Sequence, residues 1–76
     1  MTETTTGFRA RRIELGLTQQ DIADRCEELG VPVTDSQISK IERNQSRPLP
    51  GLRLVLTKVL GADPVVLQRQ TAEVVV

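Results

Sequence analysis

The chain has 76 residues, which predicts one domain with a modest core and little room for a deep catalytic cleft. Ten basic and ten acidic side chains give a formal net charge of zero, which argues against a nonspecific polycationic nucleic-acid binder but leaves a basic face open. No histidine is present, and there is no thiol–base pair, phosphate-cradling glycine loop or metal-ligand cluster, so neither an enzyme nor a cofactor site is expected.

Residues 1–5 are polar and rich in Thr, and read as a flexible N-terminal arm. Thr5 or Thr6 caps a first helix running to about Leu15, with Phe8, Ile13 and Leu15 as its apolar positions and Gly16 as the left-handed residue that ends it. Thr18 opens the second helix, where it accepts from the Asp21 backbone N–H. Ile22, Ala23, Cys26 and Leu29 line one face of that helix, and Gly30 stops it. Cys26 therefore reads as a small buried apolar residue rather than a nucleophile. As a single cysteine it makes no internal disulfide, which fits a reducing compartment.

Val31-Pro32-Val33 is predicted to be extended, since Pro32 disfavours helix in the residue before it. Thr34 and Gln37 form a capping-box signal for a short third helix, with Ile38 and Ile41 facing inward. Asn44 closes it, because Asn tolerates positive φ. Gln45 to Gly51 is predicted to be a loop. Leu52, Val55, Leu56, Val59 and Leu60 then make a helical stripe that Gly61 stops. Asp63-Pro64 caps a brief fifth helix through about Arg69, and residues 70–76 form a tail.

The charges are segregated along the chain. Asp21, Asp24, Glu27 and Glu28 share one stretch, whereas Lys40, Arg43, Arg47, Arg53 and Lys58 follow with Glu42 as the sole acid among them. The third helix pairs an apolar inner side with outward polar residues at Ser36, Gln37, Ser39, Lys40 and Arg43. Such a helix can be held on a scaffold by one side while the other enters a DNA major groove. Any amphipathic surface helix shares that pattern.

Three runs in order narrow the reading. Arg12-Ile13-Glu14-Leu15-Gly16-Leu17-Thr18-Gln19-Gln20-Asp21-Ile22-Ala23 resembles the entry of the Cro and lambda-repressor-like (XRE-type) helix-turn-helix family. Ser36-Gln37-Ile38-Ser39-Lys40-Ile41-Glu42-Arg43-Asn44 is similar to its recognition helix. Arg47-Pro48, the Leu52–Leu60 stripe and Gly61-Ala62-Asp63-Pro64 resemble its closing helices, so that the likeness covers roughly residues 8–67. The resemblance implies an all-α, five-helix lambda-repressor-like DNA-binding domain over residues 6–69, here with a lengthened turn between the second and third helices.

The resemblance also implies roles. Asp35, Ser36, Ser39 and Lys40 match base-reading positions. Gln19, Gln37, Arg43, Gln45, Ser46 and Arg47 fall where contacts to DNA phosphates cluster, Gln19 through its side chain or the helix N-terminus. Arg12 and Glu42 match a structural ion pair tying the first helix to the third. Asp35 has two chemical readings: it accepts from a cytosine amino group, or it stabilises the positive end of its own helix, and the second is favoured.

The function these readings predict is a sequence-specific regulator of transcription, a repressor, bound to double-stranded DNA as a homodimer on two half-sites. The alternative is a protein-interaction module or antitoxin of the same fold, which the acidic second helix and the zero net charge keep open. Leu67 and Val74-Val75-Val76 are candidate dimer surface, and the tail can also pair as an edge strand. No apolar run is long enough to span a membrane and no export leader is read at the N-terminus, so a cytoplasmic location, on the nucleoid when DNA-bound, is expected. No effector pocket is expected at this length.

Overall fold

Short polar side chains set the start of nearly every helix. In a computed structural model, which describes residues 1–75, Thr6 caps α1 (Gly7–Glu14), Thr18 caps α2 (Gln19–Glu28) and Thr34 caps α3 (Asp35–Glu42). Each Thr hydroxyl accepts from an N–H of the first turn, a donor that the helix itself leaves unpaired. At α2 and α3 the box is reciprocal: Asp21 accepts from the Thr18 N–H and Gln37 from the Thr34 N–H, both at 2.9 Å. Asp63 caps α5 (Pro64–Arg69) through the Val65 N–H.

α4 (Pro50–Leu60) starts differently. It has no side-chain cap, and Pro50 occupies its first turn, so the helix begins two residues before the Leu52 that opens its apolar stripe. A proline there loses nothing, because the N–H it lacks has no helical acceptor. Asn44, with φ of 60°, turns the chain out of α3 as its position predicts.

The core is the meeting place of α1, α2, α3 and α4. Phe8, Ile22, Cys26, Ile38, Leu56 and Leu60 are fully buried there, with Ala23, Ile41, Val55 and Leu67 closely packed around them. Burial of each large member contributes roughly 1.5–3 kcal/mol. The Val31-Pro32-Val33 connection lies outside both helices, and both valines pack against the core. Of the apolar residues read on the first two helices, Ile13, Leu15 and Leu29 are exposed. The side of α1 that faces inward carries Phe8 and, four residues on, the polar Arg12, whose guanidinium has an internal partner described below.

The all-α expectation needs one correction. Thr2–Thr6 forms β1 and Thr71–Val75 forms β2, and the two pair antiparallel with Thr4 opposite Glu73. The polar composition of residues 1–5 suggested a loose arm; the β-branched threonines and the valines of the tail give both segments strand character instead. Each strand satisfies the backbone groups of the other, and the pairing joins residues too far apart in sequence to be read from either alone. The sheet is tied to the helices at Gly7, whose N–H donates to the Gln70 carbonyl at 2.8 Å. A Cβ at Gly7 would lie 3.0 Å from the Leu67 carbonyl oxygen, so a glycine is what lets α1 start against the end of α5.

Two features bear on the expected dimer surface. Leu67 is buried in the core and unavailable to a partner, and Val74 and Val75 are already paired with Glu3 and Thr2. Val76 lies outside the described residues. Among the described residues no helix is long and apolar enough to cross a membrane.

Candidate nucleic-acid interface

α3 is held from beneath by three residues at helical spacing, Ile38, Ile41 and Glu42, all buried. The two isoleucines enter the core. Glu42 is only 2 % exposed, and such a charge is costly unless every lone pair is met. Here it is met. The Arg12 guanidinium grips the carboxylate through Nη2 at 2.9 Å and Nε at 3.2 Å, and Gln19 Nε2 donates to Oε2 at 2.8 Å. Arg9 Nε lies 3.9 Å away as a second positive charge. Arg12 also donates from Nη1 to the Leu17 carbonyl at 2.9 Å. One carboxylate on α3 is thus clamped by α1 and by the first residue of α2, and the turn between them holds the Arg12 guanidinium in place.

This placement alters what Gln19 is free to do. Its side-chain amide, expected at a DNA phosphate, is committed to Glu42. The backbone remains: the Gln19 and Gln20 N–H groups, in the first turn of α2, have no acceptor among the described residues. Two unpaired N–H groups at a helix N-terminus, reinforced by the helix dipole, suit an anion. Asp21 beside them is tied back to Thr18, whose N–H and hydroxyl hold its carboxyl below the usual carboxylate value.

The outer face of α3 carries Asp35, Ser36, Gln37, Lys40 and Arg43, all exposed, with Ser39 half-buried at its flank. Asp35 Oδ1 accepts from the Ser36 N–H at 2.9 Å, so its charge is used at the positive end of its own helix. The Gln37 carbonyl oxygen is engaged by the Thr34 N–H, which leaves its amide NH2 facing outward as a donor. Lys40 and Arg47 have no ion-pair partner among the described residues, and Arg43 makes only a 3.4 Å contact to the Ser39 carbonyl. Gln45, Ser46 and Arg47 follow on an exposed loop.

Two contacts that the sequence did not foretell fix this surface. Gln68 on α5 is buried, and its amide donates both hydrogens, to the Ile41 carbonyl at 3.0 Å and to the Ser46 carbonyl at 2.7 Å. It thereby pins the end of α3 and the following loop to one body. Thr6 does the same from the other side, donating its hydroxyl to the Glu42 carbonyl at 2.7 Å. Neither contact carries a local signal: a single polar residue in a short helix looks like any other, and Thr6 is legible as a cap but not as a donor to α3.

Between the Val31-Pro32-Val33 connection and the Ser46–Leu49 loop runs a solvent-open groove of about 640 Å³, floored by Ile41 and Leu52 and bordered by Lys40 and Arg47. A hollow of this size was not expected in so short a chain. The Val31-Pro32-Val33 connection forms one of its walls. The groove adjoins α3 directly, so its two cations belong to the same face as Ser36 and Arg43.

A family model described as helix-turn-helix matches residues 8–67, a span that begins at the core residue Phe8 of α1 and ends at Leu67 of α5. The chain belongs to the XRE-type, Cro and lambda-repressor-like helix-turn-helix family. No curated protein and no solved structure matches it. The helix-turn-helix pair is α2 and α3, the chain carries a DNA-binding domain of this type, and the two-stranded sheet lies outside the matched span. The second helix of the pair is α3, the helix with an exposed polar face and a buried anchor.

Proposed function

We propose that this helix-turn-helix domain is a sequence-specific regulator of transcription that represses by occupying double-stranded DNA in the cytoplasm, with α3 in the major groove. The observation that carries the reading is the division of α3. Ile38, Ile41 and Glu42 are locked into the scaffold, while Ser36, Lys40 and Arg43 face outward without an ion-pair partner. A protein-docking helix would place large apolar side chains on that outer face; this one has none.

In this reading Ser36, Ser39 and Lys40 meet base edges, and Asp35 steadies the helix end rather than accepting from a base. Gln37, Arg43, Gln45, Ser46 and Arg47 contact phosphates, and so do the Gln19 and Gln20 N–H groups at the start of α2. Phosphate contacts supply affinity and register, and base contacts supply selectivity. Two copies bind two half-sites about one helical turn apart.

The test begins with selection from random-sequence duplexes and footprinting of the winner. Lys40→Ala then loses preference by about 1–3 kcal/mol at one base pair. Arg47→Ala weakens selected and scrambled duplexes alike and lowers the salt slope by about 1. Equal losses on both duplexes for Lys40→Ala would remove the base-reading role. A wild-type chain that selects no sequence and shows no salt-dependent gel shift would refute the function.

A further inference from the structure

The groove beside α3 is lined by two kinds of chemistry. Below, it is carbon: Val31, Val33 and Leu52 pack against the core by one side and leave part of their surface open to the hollow of about 640 Å³ above Ile41. Its rim is cationic. Lys40 and Arg47 border it, neither has an ion-pair partner among the described residues, and no lining residue is an acid. Gln37 adds a donor there, because the Thr34 N–H takes its carbonyl oxygen at 2.9 Å and leaves its amide NH2 free. Small-molecule sites run to about 300–1,000 Å³, a range that includes this hollow.

We propose that this groove binds a small apolar monocarboxylate, its carbon body over Ile41 and Leu52 and its carboxylate at Arg47 and Lys40, and that the ligand releases the chain from DNA. The release rests on the DNA-binding reading above; the binding site does not. Charge complementarity selects the ligand class. A duplex answers only half of the groove: its phosphates neutralise Lys40 and Arg47, but a hydrated phosphodiester gains nothing over a floor of isoleucine and leucine. A neutral apolar compound covers the floor and leaves both cations unanswered. A protein partner needs roughly 800 Å² of this chain's surface, far more than one hollow supplies. An apolar body carrying a single carboxylate meets the floor, the cations and the volume together.

The consequence for DNA follows from shared groups. Lys40 and Arg47 are the side chains assigned above to a base edge and a phosphate, and a cation engaged by the ligand is withdrawn from the duplex. Release therefore needs no change of fold, only competition for the same two charges. Gly51 supplies a way to separate the two functions. It lines the groove and is assigned no DNA contact, and a Cβ there would meet no atom within 4 Å. A larger side chain at this position has space to fill the hollow without displacing its neighbours.

The probe is decanoate, kept below the concentration at which it forms micelles and titrated into the full chain without DNA while amide NMR shifts are followed. Saturable shifts are expected at residues 31–33, in α3 and at residues 46–52. Decanoate binds at least about tenfold more tightly than decanol, which has the body without the charge, or acetate, which has the charge without the body. Arg47→Ala weakens decanoate about tenfold, and Gly51→Leu, which keeps both cations, abolishes its binding. On the duplex enriched by selection, decanoate at about ten times its Kd weakens wild-type binding about tenfold. Gly51→Leu binds that duplex with wild-type affinity, which also reports that it is folded, and does not respond to decanoate. The absence of saturable shifts, shifts centred elsewhere, equal binding of decanol, or wild-type decanoate affinity in either variant overturns the site. Decanoate binding that leaves DNA affinity unchanged overturns the release. A chain that takes decanoate as described but binds no duplex keeps the site and refutes the DNA-binding reading.

Discussion

Glu42 is the residue on which the orientation of α3 turns. Its carboxylate is buried, and the guanidinium that neutralises it, Arg12, is 15 % exposed. The two partners are therefore unequal on removal. Arg12→Ala strands a buried anion with Gln19 and a distant Arg9, and a broken buried pair typically costs about 3–5 kcal/mol. Glu42→Gln keeps an acceptor for Arg12 and leaves a cation that can turn toward water, so it costs less. Urea denaturation of the two variants is expected to rank Arg12→Ala as clearly the less stable; equal midpoints would mean that the clamp does not anchor the helix. Cys26, by contrast, is inert. Burial raises its thiol pKa, as its place on the apolar face of α2 predicts.

At the scale of elements, what matters is how the segments are fastened to one another. α4 and α5 are joined through Asp63, which caps α5 and accepts from Arg53. The Arg53 hydrogen bonds hold the Asp63 carboxyl below its ordinary value of 3.8. A carboxyl depressed in the folded state stabilises above the unfolded value, and that contribution disappears as pH falls through the folded one. The melting temperature of wild type is expected to drop on acidification below 3.8, and that of Asp63→Asn to start lower and drop less. Parallel pH profiles would deny the joint a role. The fastening of the loop after α3 depends on Gln68. Gln68→Leu takes a donor from both the Ile41 and the Ser46 carbonyls, and the loss is about 1–3 kcal/mol, most of it from the buried Ile41 bond because water reaches the Ser46 loop. Hydrogen exchange is the sharper readout: amides of Gln45 to Arg47 should exchange faster while those of α2 keep their protection. Unchanged exchange in the loop would mean that it is held by other contacts.

Across the whole molecule, the division between helices and sheet decides what is dispensable. No core residue lies in either strand, and the exposed Arg9–Glu3 ion pair contributes little. Removing residues 1–5 is expected to leave the Thr6 cap, the core and the α3 surface intact. A stability loss on the order of 1 kcal/mol would lower the melting temperature of a domain this size by about 4–8 °C. Loss of cooperative unfolding would show that the sheet is integral. The same division explains what could be read in the sequence. The helices announced themselves through local chemistry: a Thr cap, an apolar repeat, a Gly or Asn at the exit. The α3 face was legible because Ile38 and Ile41 mark its inside. Of the sheet, only the tail's capacity to pair as a strand was legible; its partner was not, since two strands at opposite ends of a chain carry no mutual signal. The Gln68 bonds and the bond from the Gln19 amide to Glu42 were not foreseen for a related reason, because a polar side chain's partner is set by packing across helices rather than by its neighbours in sequence.

The ladder that sets Thr2 against Val75 brings the beginning and the end of the described chain to one spot. A short peptide bridge across that spot would close the backbone into a ring without disturbing the recognition surface. The ring would act on the denatured ensemble, which would forfeit the freedom of its two ends while the native state gave up nothing. The domain is thus already shaped for cyclisation, and its thermal resistance would rise with no change to the residues that meet DNA.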